Sequence, residues 1–390
     1  LLHPQSRIFE DEAGHVMNFT LKLKQLISGF VYFLLLLYVP RRRPNNTVSH
    51  KNVCVIFMGA LGDFLTFCSA AQALFANGYT VQLVCRSENG IEEIARETGL
   101  FSTIISVSSL YRDRLQNVKK LRNIRCYTAF SAPFGRHILE DVYLLAIQSC
   151  VMIVTDTFQD VTSKFLKEYV DKRADQVITL KETWEWARYG EFLRKTGLSN
   201  DKLSFFHFSR TSTLRNADRI VVFPGASRAE KCWPVQRYAS VLLRLVEEKG
   251  CTVQILGSMS DKRYADELEQ RLPKKFVQNL CGKTSLLDTK QYILQSRMVI
   301  ANDSGGAHMG ISCDIPTVII AGAWQFGRFF PNEAIPVKFV VVYAGGKENS
   351  CQLCGQSIPH CMSGRKAAPC IAAVSEDQVE QAVKRLYDMK

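Results

Sequence analysis

Asp303, Ser304, Gly305, Gly306 and His308 fall in one short stretch, behind the apolar run 298–300 and ahead of the β-branched run 315–320. An apolar strand, a polar glycine-rich corner and a small-residue helix are the parts from which an α/β fold builds an anion site. Paired glycines let backbone approach a ligand closely, and the free amides of a helix start point at it. The chemistry this predicts is the cradling of a diphosphate, although Asp303 or Ser304 can equally serve as an ordinary helix cap.

A second stretch, Phe223-Pro224-Gly225-Ala226-Ser227-Arg228-Ala229-Glu230-Lys231-Cys232-Trp233-Pro234, also follows an apolar run. Lys231 can place a point charge on a phosphate, and Ser227 with the surrounding amides can add donors. The alternative is a solvated loop with Trp233 packed under the next helix. A third stretch, Met58-Gly59-Ala60-Leu61-Gly62-Asp63, spaces Gly59 and Gly62 for a tight strand-to-helix loop. It lacks the three-glycine dinucleotide fingerprint, which disfavours a nicotinamide site. Asp63 at that helix start can be an N-cap or a general base.

Four of the thirteen cysteines, Cys351, Cys354, Cys361 and Cys370, crowd near the C-terminus. Four thiolates can hold a structural zinc, and Cys351-x-x-Cys354 is a familiar half-site; reduced thiols and local disulfides are the other readings. The remaining cysteines are scattered, several in apolar runs, which favours a reducing compartment.

These residues need a scaffold, and 390 residues suffice for two domains. Hydrophobic residues at 47% and charged residues at 22% are globular values. Forty-nine Lys and Arg against 37 Asp and Glu give +12, a balance suited to phosphates on a nucleotide sugar, a lipid headgroup or a nucleic acid. No RNA-binding aromatic signature or finger-type Cys/His spacing is present, so no nucleic-acid partner is expected.

Residues 1–16 are polar and lack an initiator Met, whereas Met17 reads as a natural start. The apolar run 26–39 is flanked by Lys22 and Lys24 on one side and Arg41-Arg42-Arg43 on the other. As a helix it would reach about 21 Å, short of the roughly 30 Å needed to span a bilayer. Residues 21–43 therefore predict a peripheral, basic membrane contact, with a cleaved signal or a buried helix as the alternatives.

Beyond residue 51 the pattern alternates. Strands are expected at 53–58, 80–85, 103–107 and 127–131, and a helix at 63–77 with Phe64, Phe67, Ala71 and Leu74 on one face. Residues 137–197 read as mostly helical, and 199–218 as a polar connection with a linker near 205. A second series places strands at 219–223, 252–256, 298–301 and 317–321, and helices at 234–249, 261–272 and 285–295. Pro234 suits a first turn, and Ser375 and Asp377 can cap a last helix, 375–387. Alternating strands and helices predict an α/β chain of parallel sheets covered on both faces. The expected division is 17–50, a membrane-associating segment; 51–205, a first Rossmann-like domain; 206–374, a second; and 375–390, a C-terminal helix.

Taken in order, Gly62-Asp63, the Pro224-Gly225-Ala226 loop with Lys231-Cys232-Trp233-Pro234, Cys281-Gly282-Lys283-Thr284-Ser285-Leu286, and Asn302-Asp303-Ser304-Gly305-Gly306-Ala307-His308 resemble the motifs of glycosyltransferase family 9, the heptosyltransferases of lipopolysaccharide core synthesis. The resemblance spans about residues 52–385. It implies a GT-B fold, two Rossmann-like domains facing across a cleft, the first for the acceptor and the second for the donor. It further implies inverting, metal-independent transfer with no cofactor. By position, Asp63 would deprotonate the acceptor hydroxyl, and Lys231 and Ser227 would hold the donor diphosphate. Asp303, Ser304, Gly305 and Gly306 would form the donor loop with His308 beside it, and Asp261 would meet the nucleotide ribose. Arg228, Lys231 and the helix start at Gly305 can together neutralise a leaving diphosphate without a metal, and no Asp-x-Asp pair is present.

The expected partners are a nucleotide sugar, ADP-heptose foremost, and a lipopolysaccharide-type glycolipid at the cytoplasmic face of a bacterial inner membrane. Two other readings are a non-catalytic nucleotide or anionic-lipid binder of the same fold and a two-domain nicotinamide oxidoreductase, the latter disfavoured by the missing fingerprint.

Overall fold

A computed structural model describes residues 32, 39, 43–44, 48–131, 136–156, 164–209, 218–323, 327–329, 338–344 and 367–387. Most of the predicted membrane-contact segment 21–43, and Cys351, Cys354 and Cys361, lie outside them.

The described residues form two six-stranded, all-parallel sheets. The first runs β3-β2-β1-β4-β5-β6, from β1 (Asn52–Phe57), β2 (Thr80–Arg86), β3 (Thr103–Val107), β4 (Arg125–Ser131), β5 (Gln148–Thr155) and β6 (Gln176–Ile178). The second runs β12-β11-β10-β7-β8-β9, from β7 (Arg219–Phe223), β8 (Thr252–Ile255), β9 (Val277–Asn279), β10 (Met298–Asn302), β11 (Thr317–Ile320) and β12 (Phe339–Val342). Renumbered from its own first strand, the second sheet repeats the order of the first. Their continuous Val and Ile runs are what a sheet covered on both faces requires.

Helices α1 (Leu61–Ala76), α2 (Ile91–Thr98), α3 (Arg114–Leu121), α4 (Ile138–Ala146), α5 (Lys164–Asp171) and α6 (Glu185–Lys195) belong to the first part of the chain. The second contributes α7 (Val235–Lys249), α8 (Lys262–Arg271), α9 (Leu286–Leu294), α10 (Gly305–Ser312), α11 (Pro369–Ala372) and α12 (Glu376–Tyr387). Phe64, Phe67, Ala71 and Leu74 of α1 are all buried, as their spacing predicts. Pro234 stands at the N-cap of α7 rather than inside its first turn.

Region 137–197 holds the helices α4, α5 and α6, as expected, and adds two strands that were not expected. It contains β5, which pairs with β4, and β6, which extends the sheet at its edge. Short strands β9 and β12 likewise complete the second sheet beyond the four strands expected. In the connection read as polar after residue 198, the described part packs apolar side chains inward. Leu203, Phe206 and Phe208 are buried; the Phe206 amide donates to Ser69 Oγ on α1 at 3.1 Å and the Phe208 amide to Ser312 O on α10 at 2.8 Å.

By contact density the chain separates into two compact units. One holds the first sheet with α3, α4 and α5. The other comprises 59–77, 89–101 and everything from Lys181 onward, so α1, α2 and α6 count with the second sheet.

Candidate functional site

In an open parallel sheet, ligands bind beyond the carboxyl ends of the strands, where the strand order reverses. In the second sheet that point lies between β7 and β10, which pair directly. The loops leaving these two strands are the stretch 224–234 and the Asp303–Gly305 corner. Asn302, the last residue of β10 and fully buried, ties them together. Its Nδ2 donates to Pro224 O (2.8 Å) and Gly225 O (3.3 Å), while its Oδ1 accepts from the Trp233 amide and the Tyr238 hydroxyl, both at 3.0 Å. Every hydrogen-bonding site of this side chain is used, which fixes both loops. Trp233 is buried edge-on against Tyr238 and donates to Val374 O, as the packing alternative for that residue holds.

A cavity of about 510 Å³ opens at this point, lined among others by Ser227, Asp261, Thr284, Ser304, Gly305 and Gly306. Ligand sites of drug size occupy roughly 300–1,000 Å³. Gly305 and Gly306 open α10, and their amides precede the first intrahelical bonds. Gly306 admits no side chain: a Cβ there would stand 2.4 Å from the Phe223 ring. Ser304 is the N-cap residue but makes no side-chain cap bond, and its buried Oγ has no partner among the described residues. Thus a helix start with a spare hydroxyl and small first-turn residues faces the cavity. On the other wall the Asp261 carboxylate accepts from the Ser258 amide (2.9 Å) and hydroxyl (2.7 Å), and a Cβ on Gly225 would stand 2.2 Å from Asp261 Oδ1.

Beside the corner lies a charged cluster. Lys231 Nζ donates to Asp303 Oδ2 at 3.0 Å, with both side chains largely withdrawn from water. His308 is buried and meets Phe329 edge-on at 5.7 Å. Burial pushes its imidazole below the ordinary range; Asp303 and Asp63 act against this and Lys231 with it. Gly62 lets α1 approach the ring, because a Cβ there would stand 2.6 Å from His308 Cδ2. Asp63, one residue on, is the third helical residue of α1 rather than its N-cap, and Oδ2 accepts from the Ala60 amide at 3.1 Å.

Of the sequence candidates, Ser227, Asp261, Ser304, Gly305 and Gly306 therefore share the cavity wall, and Gly62, Asp63, Lys231, Asp303 and His308 share the neighbouring cluster. Arg228 turns to Glu230 at 3.4 Å. Cys370 is buried in α11, and its three companions lie outside the described residues. Two members escaped the sequence reading. Asn302 was visible inside a motif but carried no chemistry of its own. Glu185, in the first turn of α6, is 1% exposed. Burial holds its carboxyl well above the usual carboxylate range; Asp63 and Asp303 push the same way, and Arg328 and Arg188 oppose. A glutamate between two tryptophans offers no spacing signal for such a place.

The sequence profile of glycosyltransferase family 9 (heptosyltransferase) matches residues 129–352, more than half of the chain. The chain belongs to glycosyltransferase family 9. Lipooligosaccharide heptosyltransferase 2 of Haemophilus influenzae is 31% identical to this family-9 chain over 165 residues, 40% of this chain and 44% of that one. The chain thus aligns with less than half the length of that curated relative. Among solved structures, the family-9 glycosyl transferase of Veillonella parvula superposes with a TM-score of 0.68 at 15% identity, covering 88% of this chain and 99% of the other. The ADP-heptose lps heptosyltransferase II of E. coli gives 0.67 at 17%, covering 86% and 98%. At such identities the likeness shows the fold, which is GT-B, as the sequence resemblance implied.

Proposed function

We propose that this family-9 chain is an inverting, metal-independent glycosyltransferase that moves heptose or a related sugar from a nucleotide sugar, ADP-heptose foremost, onto a lipopolysaccharide-core or lipid-linked acceptor. The observation that carries the reading is the cavity ending on the N-terminus of α10, where Ser304 Oγ is unsatisfied among the described residues and Gly306 brings backbone against Phe223. Such an end suits a diphosphate, which amides, a hydroxyl and the helix dipole can receive together.

In this reading the nucleoside lies along Asp261 and Thr284, and the diphosphate at Ser304-Gly305-Gly306 with Ser227. Asp63 takes the proton of the acceptor hydroxyl as its oxygen bonds to the anomeric carbon. The bond from that carbon to the diphosphate breaks on the opposite face, inverting the centre. Charge then builds on the leaving oxygen, where the α10 amides and Lys231 stabilise it. His308, held neutral by burial, fills the space between α1 and the corner and adds no charge. The reading needs no cofactor. It places the protein peripherally at the cytoplasmic membrane face, through residues 21–43; no described helix is long and apolar enough to cross a membrane.

Incubation of the purified protein with ADP-heptose and a heptose-deficient lipopolysaccharide core, read by mass spectrometry, is expected to show addition of one heptose. Asp63→Asn should lower kcat by about 10²- to 10⁴-fold, the range of a lost general base, while leaving ADP affinity intact. No sugar transfer by wild type, or full transfer by Asp63→Asn, contradicts the assignment.

A further inference from the structure

Glu185 is not used in the steps above, yet it sits in the same cluster. Its backbone amide donates to Arg328 O at 2.7 Å, and the neighbouring Trp184 Nε1 donates to Phe329 O at 3.2 Å, so the first turn of α6 is fastened to residues 328–329. Phe329 in turn packs on His308. α6 also packs on α1, the helix that carries Asp63. In this setting Glu185 is 1% exposed, and its Oε2 has no hydrogen-bond partner among the described residues.

An ionised carboxylate in such a place would be costly, because it would bury a charge with unsatisfied lone pairs. The charges within electrostatic reach are Asp63 on α1, Asp303 at the β10–α10 corner, Arg328 on the fastened segment and Arg188 on α6 itself. Asp303 already has Lys231. A third anion beside Asp63 would oppose a diphosphate approaching the same corner.

We propose that Glu185 is a positioning residue of the transfer site, a carboxyl buried uncharged where α6 packs on α1 and residues 328–329, so that no further negative charge stands beside the incoming diphosphate. This rests on the transferase reading. Ionisation of Glu185 on the alkaline side adds a negative charge next to the diphosphate site, and kcat falls there. Glutamine reproduces the shape and neutrality of the protonated acid, whereas alanine leaves a hole.

Three readouts on the full chain test this. Infrared spectroscopy at neutral pH should show the stretching band of a protonated buried carboxyl, lost in Glu185→Gln. In transfer assays Glu185→Ala should lose about tenfold or more in kcat with little change in donor KM, the signature of an interaction acting on the chemical step. Glu185→Gln should restore kcat and abolish the alkaline decline expected of wild type. An absent band, a Gln variant as inactive as Asp63→Asn, or an alkaline limb unchanged in Gln would each overturn the proposal. Loss of all transfer in wild type would instead remove the transferase reading and the positioning role with it, while the infrared band still reports the proton on its own.

Discussion

Lys231 and Asp303 form an ion pair at the corner proposed to receive the diphosphate, so structural and chemical roles can be separated there by mutation. Their ion pair is largely buried, so removing one partner leaves the other charge uncompensated. Lys231→Ala should therefore cost on the order of 3 kcal/mol in denaturant unfolding and also weaken ADP binding. In the double variant with Asp303→Asn, part of the stability should return while ADP binding stays weak; recovery of both would make the lysine structural only. His308 gives a pH signature. Its imidazole is depressed by burial, so the unfolded chain binds the proton more readily. Stability is complete above the ordinary imidazole range and declines as pH falls through it. His308→Asn should flatten that acid limb, and an unchanged slope would assign it elsewhere. At this scale the sequence was informative wherever a glycine or charge stood in a motif. Gly306 and Lys231 could be picked out because phosphate chemistry needs close backbone and a cation. Glu185 could not, since its role depends on helices far apart in the chain.

At the scale of elements, the site is a product of strand order. Asn302 and Gly306 sit where β10 ends and α10 begins, and they set the loop after β7 against the helix start. Gly306→Ala should force the Phe223 ring aside, costing about 1–3 kcal/mol as overpacking, and abolish ADP binding; retained affinity would move the diphosphate elsewhere. Asn302→Ala leaves buried donors and acceptors unpaired and should cost at least about 2 kcal/mol, read as a lower unfolding midpoint with an unchanged m-value. The central strands β1, β7, β10 and β11 were recognisable from their β-branched runs between glycine-bearing corners. β5 was not, because its apolar run follows directly on α4, and an apolar stretch there fits helix and strand alike. The three-residue strands β6 and β9 close the sheet edges and bury too little to leave a pattern. The connection 199–208 read as polar, yet Leu203, Phe206 and Phe208 are spaced to pack, and α1 and α10 receive the segment.

Over the whole molecule, the repeated order 3-2-1-4-5-6 sets β1 beside β4 and β7 beside β10, and glycine-bearing corners after β1 and β10 lead into the starts of α1 and α10. The compact unit that contains the second sheet also takes in α1 and α2. Asp63 thereby belongs to the same body as Lys231, Asp303 and the cavity, and the proposed base and diphosphate site are held on one scaffold. The charge excess of +12 suits anionic partners in general; selectivity among them must come from the cavity. The most direct test is calorimetry of the intact protein against ADP, GDP and UDP without added metal. The account predicts selective binding of one nucleoside diphosphate, ADP, retained in Asp63→Asn and lost in Gly306→Ala. Binding of none of the three, or equal binding by the Gly306→Ala variant, would contradict it.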